Sequence, residues 1–452
     1  MLPLKFKERM ERMLGDEYPA FIDALGKSAV RGVRANGLKV SAEELLEKSS
    51  LRLERLAYAE DGFILRDTDV SVGASAEHHS GMIYMQDPGA MATVNAVKLP
   101  RGAWVLDSCS APGGKTTQLA AMVGHEGFVF ANEYVPKRAK IVVSNLERLG
   151  VRSAIVTSMD TARFSEMFRA IFDLVLCDAP CSGEGMFRKS DDALEMWSEE
   201  NVAMCAVRQS EILENCAPLV KAGGYLLYST CTYSIEENEE VVRAFLLRHG
   251  DFSLVPVCEE LVSATRDGIG EDMKHARRFY PHVSEGEGQF LALMKRDENI
   301  DVSSSILYKS CEKPLTKQEC MIVDKFFKDC FNARPVGRLV KHGDSVVLIP
   351  HECPVPEHSV FMSGVTVGEI KGSLLFPHHQ LFSAYGCDMR RRETLTAGDE
   401  RVARYLRGEE IEAREVTEGG WCAVLYEGAA LGGGKASGGR IKNHYPKGLR
   451  NK

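Results

Sequence analysis

Two cysteines in polar surroundings are the residues of this chain best placed to do chemistry. One lies in Asp178-Ala-Pro-Cys181-Ser-Gly and the other in Ser229-Thr-Cys231-Thr. A free cysteine ordinarily packs as a small hydrophobe. Both of these instead follow short apolar runs and sit among glycine, serine and threonine. If the runs are adjacent strands of an open α/β sheet, both thiols stand at its carboxyl rim, where such sheets bind ligands. Ser234-Ile-Glu-Glu237 reads as a capping box. It would place Cys231 three residues before a helix N-terminus, whose partial positive charge favours thiolate. Cys177 and the other cysteine thiols, that of Cys109 included, read as packing.

A glycine-rich loop precedes both motifs. Val105-Leu106-Asp107-Ser-Cys109-Ser110-Ala111-Pro112-Gly113-Gly114-Lys115-Thr116 sets a strand, a tight loop and a helix start in succession. Gly113 and Gly114 let the backbone approach a ligand, and the helix start offers free N–H donors. Two cofactors suit such a loop. A nucleotide phosphate wants GxxxxGK[ST], which the segment misses because Cys109 replaces the first glycine, while Pro112 removes an N–H; Phe172–Asp178 could pass as a magnesium-binding strand. S-adenosylmethionine would set its aminocarboxylate on the same N–H groups. Glu133, at the end of the second strand, suits both hydroxyls of a ribose. Asp160, after the third strand, could accept an adenine amino group. Any one such acid reads as a helix cap; Glu133, Asp160 and Asp178 at three consecutive strand ends favour a nucleoside ligand. A phosphate-loop ATPase stays the rival reading.

A thiolate beside a methyl donor suggests one reaction. Carbon 5 of cytosine is too weak a nucleophile to attack a sulfonium methyl unaided. Thiolate addition at carbon 6 makes carbon 5 enamine-like, and a base must then remove the carbon 5 proton so that the thiol can leave. A carboxyl near ring nitrogen 3 would absorb the developing charge. Asp178, Cys181 and Cys231 supply these parts.

These segments resemble the Nop/Sun family of RNA cytosine-5 methyltransferases. Asp178-Ala-Pro-Cys181 is similar to its fourth motif, Ser229-Thr-Cys231-Thr to its sixth and Ala111-Pro-Gly-Gly-Lys115 to its cofactor loop. Arg278-Phe-Tyr-Pro-His282 and Gly288-Gln-Phe-Leu-Ala292 resemble its eighth motif, with Gln289 where an aromatic or glycine-flanked residue is more usual. Arg31–Val40 and Tyr84-Met-Gln-Asp87 are similar to its upstream segments, and Lys442–Arg450 to the bacterial small-subunit rRNA branch, which ends in a PUA-like module. The resemblance implies Cys231 as nucleophile, Cys181 as the group assisting product release, and Asp178 as the residue activating cytosine. It implies S-adenosylmethionine contacts at Cys109, Ser110, Ala111, Pro112, Gly113, Gly114, Lys115, Glu133, Asp160 and Asp178, with Arg138 a further candidate. No metal is expected. The implied partner is RNA, 16S rRNA or the small ribosomal subunit first and tRNA second; a non-catalytic ribosome-assembly factor built on the same fold is the remaining alternative.

The elements that must position these residues follow from apolar patterning. The expected fold class is α/β, a Rossmann-like methyltransferase core with a small α+β N-terminal domain and a β-rich, PUA-like C-terminal region. Strands are expected at Trp104–Asp107, Phe128–Asn132, Ser153–Val156, Phe172–Cys177, Tyr225–Ser229 and Gln289–Met294. Helices are expected at Thr116–Val123, Val135–Leu149, Asn201–Val220 and Ile235–His249. The domains run 1–80, 81–296, 297–385 (a linker near 297–312, then a first C-terminal subdomain) and 386–452. Gly432–Gly439 reads as flexible.

The chain has 452 residues, 44% hydrophobic and 27% charged, with a net charge of −8. That is a globular composition, with no apolar run long enough to span a membrane. Thirteen cysteines without CxxC pairs, and a Met1–Arg9 segment lacking the apolar run of a signal peptide, point to the cytoplasm. A monomer is expected. Residues 301–452 hold 22 Lys+Arg against 19 Asp+Glu, and Gly432–Lys452 holds six basic residues and no acid. That tail and Arg390–Arg392 are the phosphate-contact candidates.

Overall fold

The computed structural model describes residues 2–67 and 69–451. Its centre is a mixed sheet in the order Arg266–Asp267, Arg277–Phe279, Gln289–Arg296, Val220–Thr230, Phe172–Asp178, Trp104–Asp107, Phe128–Asn132, Ala154–Thr157 and Val360–Ser363. The five strands from Val220–Thr230 to Ala154–Thr157 are parallel to one another. They are the continuous apolar runs that a sheet covered on both faces requires. Leu174, Val175, Leu176 and Cys177 have no exposed surface at all.

The connecting helices obey local rules. Pro136–Arg148 starts on a proline, whose missing N–H costs nothing there, and buries Ala139, Val142 and Leu146 on one face. Glu199–Cys216 is capped by Ser198, which accepts from Asn201 N at 3.0 Å. Chain order reverses between Trp104–Asp107, whose successors lie to one side, and Phe172–Asp178, whose successors lie to the other. The crevice over that reversal is where such sheets take ligands.

The N-terminal unit is an antiparallel sheet of Leu53–Leu56, Ala59–Leu65, Gly32–Ala35 and Ile83–Met85. Ile83–Met85 leads to Asp87, which caps the helix Pro88–Asn95 through Gly89 N at 2.9 Å. Two five-stranded sheets form the C-terminal region, one over residues 313–377 and one over 392–443. The second shares a core with the N-terminal sheet: Val33, Phe63 and Ile83 pack in one cluster with Leu395, Val424, Leu431 and Ile441. Lys39 marks the junction, with Nζ donating to the carbonyls of Ser80 (2.6 Å), Arg148 (3.2 Å) and Ala430 (3.1 Å).

Three expectations are corrected. Val360–Ser363, expected within a separate C-terminal subdomain, pairs antiparallel with Ala154–Thr157 and extends the central sheet. The expected linker is tied down, because Ser305–Ile306 pairs with Phe168–Arg169. Gly432–Gly439, read as flexible, lies largely in the strand Ala429–Ser437. Here glycine serves close packing: a Cβ on Gly433 would lie 2.4 Å from the Phe382 ring, and one on Gly432 2.5 Å from Tyr405 Oη. A glycine run carries the same local signal in both settings.

Candidate active site

A cavity of ≈ 270 Å³ opens at the reversal point. Its sheet side holds Asp107, Cys109–Pro112, Gly114, Lys115, Asp178 and Cys231; its far side is closed by Tyr84–Asp87, Met186 and Glu287–Gln289. The loop after Trp104–Asp107 ends at Gly113, whose φ of 107° suits glycine and which caps the helix Gly114–Val123 without a side-chain bond. The first N–H groups of that helix therefore remain free of a cap. Asp107 accepts from the Thr116 hydroxyl at 2.6 Å, while its other oxygen and the Ser110 hydroxyl are buried without partners. Burial pushes the Asp107 carboxyl up to about 7. Free N–H donors, an unpaired hydroxyl and an acid together fit the aminocarboxylate of S-adenosylmethionine.

Glu133 is 3% exposed at the end of Phe128–Asn132 and is joined to this loop. It accepts from Ala111 N at 3.2 Å and Val135 N at 2.9 Å. Arg138 reaches both, donating to Ala111 O at 3.2 Å and lying 3.5 Å from Glu133 Oε1. None of Glu133, Arg138 and Asp160 lines the cavity itself. Asp160 is exposed and caps the short helix Thr161–Ser165 through Ala162 N at 2.8 Å.

The cysteines meet across the rim, with Cys181 Sγ 3.3 Å from Cys231 Sγ. The contact with Cys231, together with burial, pushes the Cys181 thiol well up. Asp178 accepts from the Ser229 hydroxyl at 2.7 Å and from Lys115 Nζ at 2.8 Å. Burial works against the Lys115 ammonium, but Asp178, with Cys231 and Asp107, outweighs it and raises Lys115 above its usual range. A residue expected only in the cofactor loop is thus the cation partner of Asp178.

The local reason expected for Cys231 does not hold. The helix after it spans Glu239–Arg248 and begins eight residues on, so no helix terminus adjoins the thiol. Ser234 Oγ does accept from Glu237 N at 3.3 Å, but the reciprocal half of the capping box is missing. Glu237 turns instead to Ser182, Thr232 and Gln209. Sequence reasoning also left Tyr84, Gln86 and Gln289 unassigned as site residues, although all three line the cavity. Arg34, fully buried in the N-terminal sheet, bonds Gln86 at 2.9 Å, Gly114 O at 3.2 Å and Thr117 at 2.8 Å. It ties that sheet to the glycine-rich loop and the helix that follows it. A buried arginine in Arg31-Gly-Val-Arg34 carries no local signal, because its hydrogen-bond partners lie 52 to 83 residues away.

Residues 94–295 match the family of 16S rRNA methyltransferases RsmB/F, residues 2–88 the N-terminal domain of 16S rRNA methyltransferase RsmF, and residues 392–451 the RsmF PUA domain. Over 95% of this chain and 92% of the relative, it is 30% identical to the ribosomal RNA small subunit methyltransferase F of Aeromonas salmonicida. The chain belongs to the RsmB/F methyltransferase family. The counterpart in Vibrio vulnificus is also 30% identical, over 99% of this chain and 97% of its own. A solved methyltransferase homologue from Pyrococcus horikoshii is 30% identical, with a TM-score of 0.54 over 62% of this chain and 91% of its own. NSun6 of the same organism, solved with SFG, shares the fold at 21% identity and a TM-score of 0.55, over 65% of this chain and 98% of its own. As a member of the RsmB/F family the protein is an S-adenosylmethionine-dependent RNA methyltransferase. The ATPase and non-catalytic readings fall away.

Among the RsmB/F phosphate-contact candidates, several side chains are already committed. Arg391 pairs with Asp329 at 2.8 Å and donates to Trp421 O at 3.1 Å, Arg390 donates to Phe331 O at 2.7 Å, and Arg392 donates to Cys387 O at 2.8 Å. In the tail, Arg440 pairs with Glu410 at 2.6 Å and Arg450 donates to Tyr445 O at 3.0 Å. Lys435 and Lys442 are exposed and face each other across adjacent strands, with Lys435 5.9 Å over the Trp421 ring. Lys452 lies outside the described residues.

Proposed function

We propose that this protein methylates carbon 5 of a cytosine in 16S rRNA, through a covalent bond between Cys231 and carbon 6, acting as a monomer in the cytoplasm. The 3.3 Å approach of Cys181 to Cys231, which lines the cavity together with Asp178, is the observation that carries the reading. A base must leave its stack to enter such a pocket, so an unpaired or splayed cytosine is the substrate.

The residues divide the work as follows. Cys231 Sγ, as thiolate, adds to carbon 6, and the electron pair of the 5,6 double bond moves to carbon 5 and towards nitrogen 3 and oxygen 2. The Lys115 ammonium, fixed on Asp178, stands where that charge grows. Asp178 orients the base through its exocyclic amino group. When bound, S-adenosylmethionine supplies the electrophilic methyl group. Cys181, once its proton has passed to solvent, is the base beside the adduct. It takes the carbon 5 proton, the released pair re-forms the 5,6 double bond, and the carbon–sulfur bond breaks to return Cys231 as thiolate. Loop residues Cys109–Lys115, with Glu133 and Arg138 behind them and Asp160 at the third strand end, hold the cofactor.

Bisulfite sequencing of 16S rRNA and tRNA from a strain lacking the protein tests the substrate. Loss of one 16S rRNA signal, restored by the wild type and not by Cys231→Ser, is the expected result. Loss confined to tRNA would overturn the 16S assignment.

A further inference from the structure

We infer that Glu237 is the positioning residue that sets the spacing of the two thiols and thereby the rate of product release. Its carboxylate is fully buried, yet its donors are all uncharged. Oε2 accepts from Ser182 N and from Gln209 Nε2, each at 2.9 Å. Oε1 accepts from the Ser182 hydroxyl and lies 3.4 Å from that of Thr232. The Ser182 and Thr232 hydroxyls are themselves 2.9 Å apart. Ser182 directly follows Cys181, and Thr232 directly follows Cys231. One carboxylate therefore holds both loops, each one residue beyond its thiol.

The sheet cannot do this alone. Ladder pairing between the two strands ends at Ser229 and Asp178, followed by Ala179 N to Ser229 O at 3.0 Å. Beyond it the loops are joined by Gly185 N to Cys231 O at 2.9 Å and by the Glu237 cluster. The neighbouring side chain brackets Cys231 from the other side. Asn238 accepts from the Thr230 hydroxyl at 2.6 Å and donates to Thr232 O at 3.0 Å. Burying a carboxylate without a cation is costly, and a helix cap would have met its hydrogen-bonding needs near the surface. Its place between the loops supplies what a cap would not, a fixed distance between two sulfurs. Loosening it moves Cys181 away from the covalent intermediate, and displacement on the ångström scale slows a positioned step by large factors.

The proposal rests on the release role of Cys181, and the test separates the two. Full-length Glu237→Gln is mixed with tritiated S-adenosylmethionine and 16S rRNA from a strain lacking the protein, and first-turnover methylation, release and covalent complex are followed. The expected result is a near-normal first turnover, release slowed about tenfold or more, and a cofactor-dependent adduct on denaturing gels. Glu237→Gln combined with Cys181→Ala should release no more slowly than Cys181→Ala alone. Ser182→Ala, which removes one arm of the clamp, gives the same signature more weakly and serves if Glu237→Gln does not fold. Equal loss of first turnover, cofactor affinity and melting temperature would mean a purely structural glutamate and overturn the proposal, as would unchanged release. Cys181→Ala runs in parallel. An adduct there with none in Glu237→Gln overturns the clamp alone, whereas no adduct in either overturns the release role beneath it.

Discussion

Lys115 Nζ lies 2.8 Å from Asp178 Oδ2, so the glycine-rich loop and the end of the strand Phe172–Asp178 share one ion pair. The pair is partly buried, at 12% and 28% side-chain exposure, where removing one partner strands the other.

Lys115→Met should therefore lower single-turnover methylation by roughly 10²–10³, the scale of losing one preorganised charge at a reacting centre. Combined with Asp178→Asn, the loss should be no greater than that of the worse single change. Rapid-quench kinetics alongside calorimetric titration of S-adenosylmethionine checks it. A loss confined to cofactor affinity would return Lys115 to the cofactor loop alone.

The two cysteines should fail differently. Cys231→Ser should abolish both methylation and covalent complex, because serine is far less nucleophilic at neutral pH. Cys181→Ala should methylate once and then stay bound to its RNA. A trapped adduct in Cys231→Ser and none in Cys181→Ala would make Cys181 the nucleophile.

Asp107 gives a pH prediction. Its folded carboxyl is pushed up to about 7 from 3.8, so the fold keeps a proton that the unfolded chain releases from about pH 4 upward. Its contribution is fully present below pH 4 and is lost as pH rises to about 7, at no more than about 1.4 kcal/mol per pH unit. Asp107→Asn should remove that component. Urea midpoints of both proteins at pH 5 and 7 check it; an unchanged difference between the two proteins would mean an ionised Asp107 in the fold.

Lys435 and Lys442 stand directly opposite each other across adjacent strands, an unfavourable placement for like charges unless an anion joins them. Replacing each by alanine should weaken RNA binding and reduce the slope of log affinity against log salt by about 0.7–0.9 per residue. Filter binding between low and moderate salt is the measurement. Unchanged slopes would leave the pair as solvated surface. Removing Gly432–Lys452 outright tests something else, because it takes away six of the nine residues of the strand Ala429–Ser437 together with Ile441 and Tyr445.

What was legible in the sequence was whatever a short window contains. The strands Trp104–Asp107 and Phe128–Asn132 lie where their apolar runs put them, and the cysteine motifs stand on adjacent strands. What escaped depends on partners far along the chain. Ser234-Ile-Glu-Glu237 has the local pattern of a capping box, and only the arrival of Ser182, 55 residues earlier, redirects Glu237. Gly432–Gly434 has the composition of a linker, and only the Tyr405 hydroxyl, the Phe382 ring and the Ile441 side chain explain the three absent side chains. Val360–Ser363 pairs with a strand some two hundred residues before it, and no periodicity reports such a partner.

The core shared by the first and last sheets sets an order of events at the ribosome. Val33, Phe63 and Ile83 emerge early, yet the surface they cover includes Val424, Leu431 and Ile441. His79 likewise waits for Tyr445, 2.7 Å away, and Asn451, 2.9 Å away. During synthesis the N-terminal sheet must therefore carry an uncovered apolar face while more than three hundred residues are added. A stalled or prematurely terminated chain would present that face to chaperones and proteases, even with every catalytic residue already made.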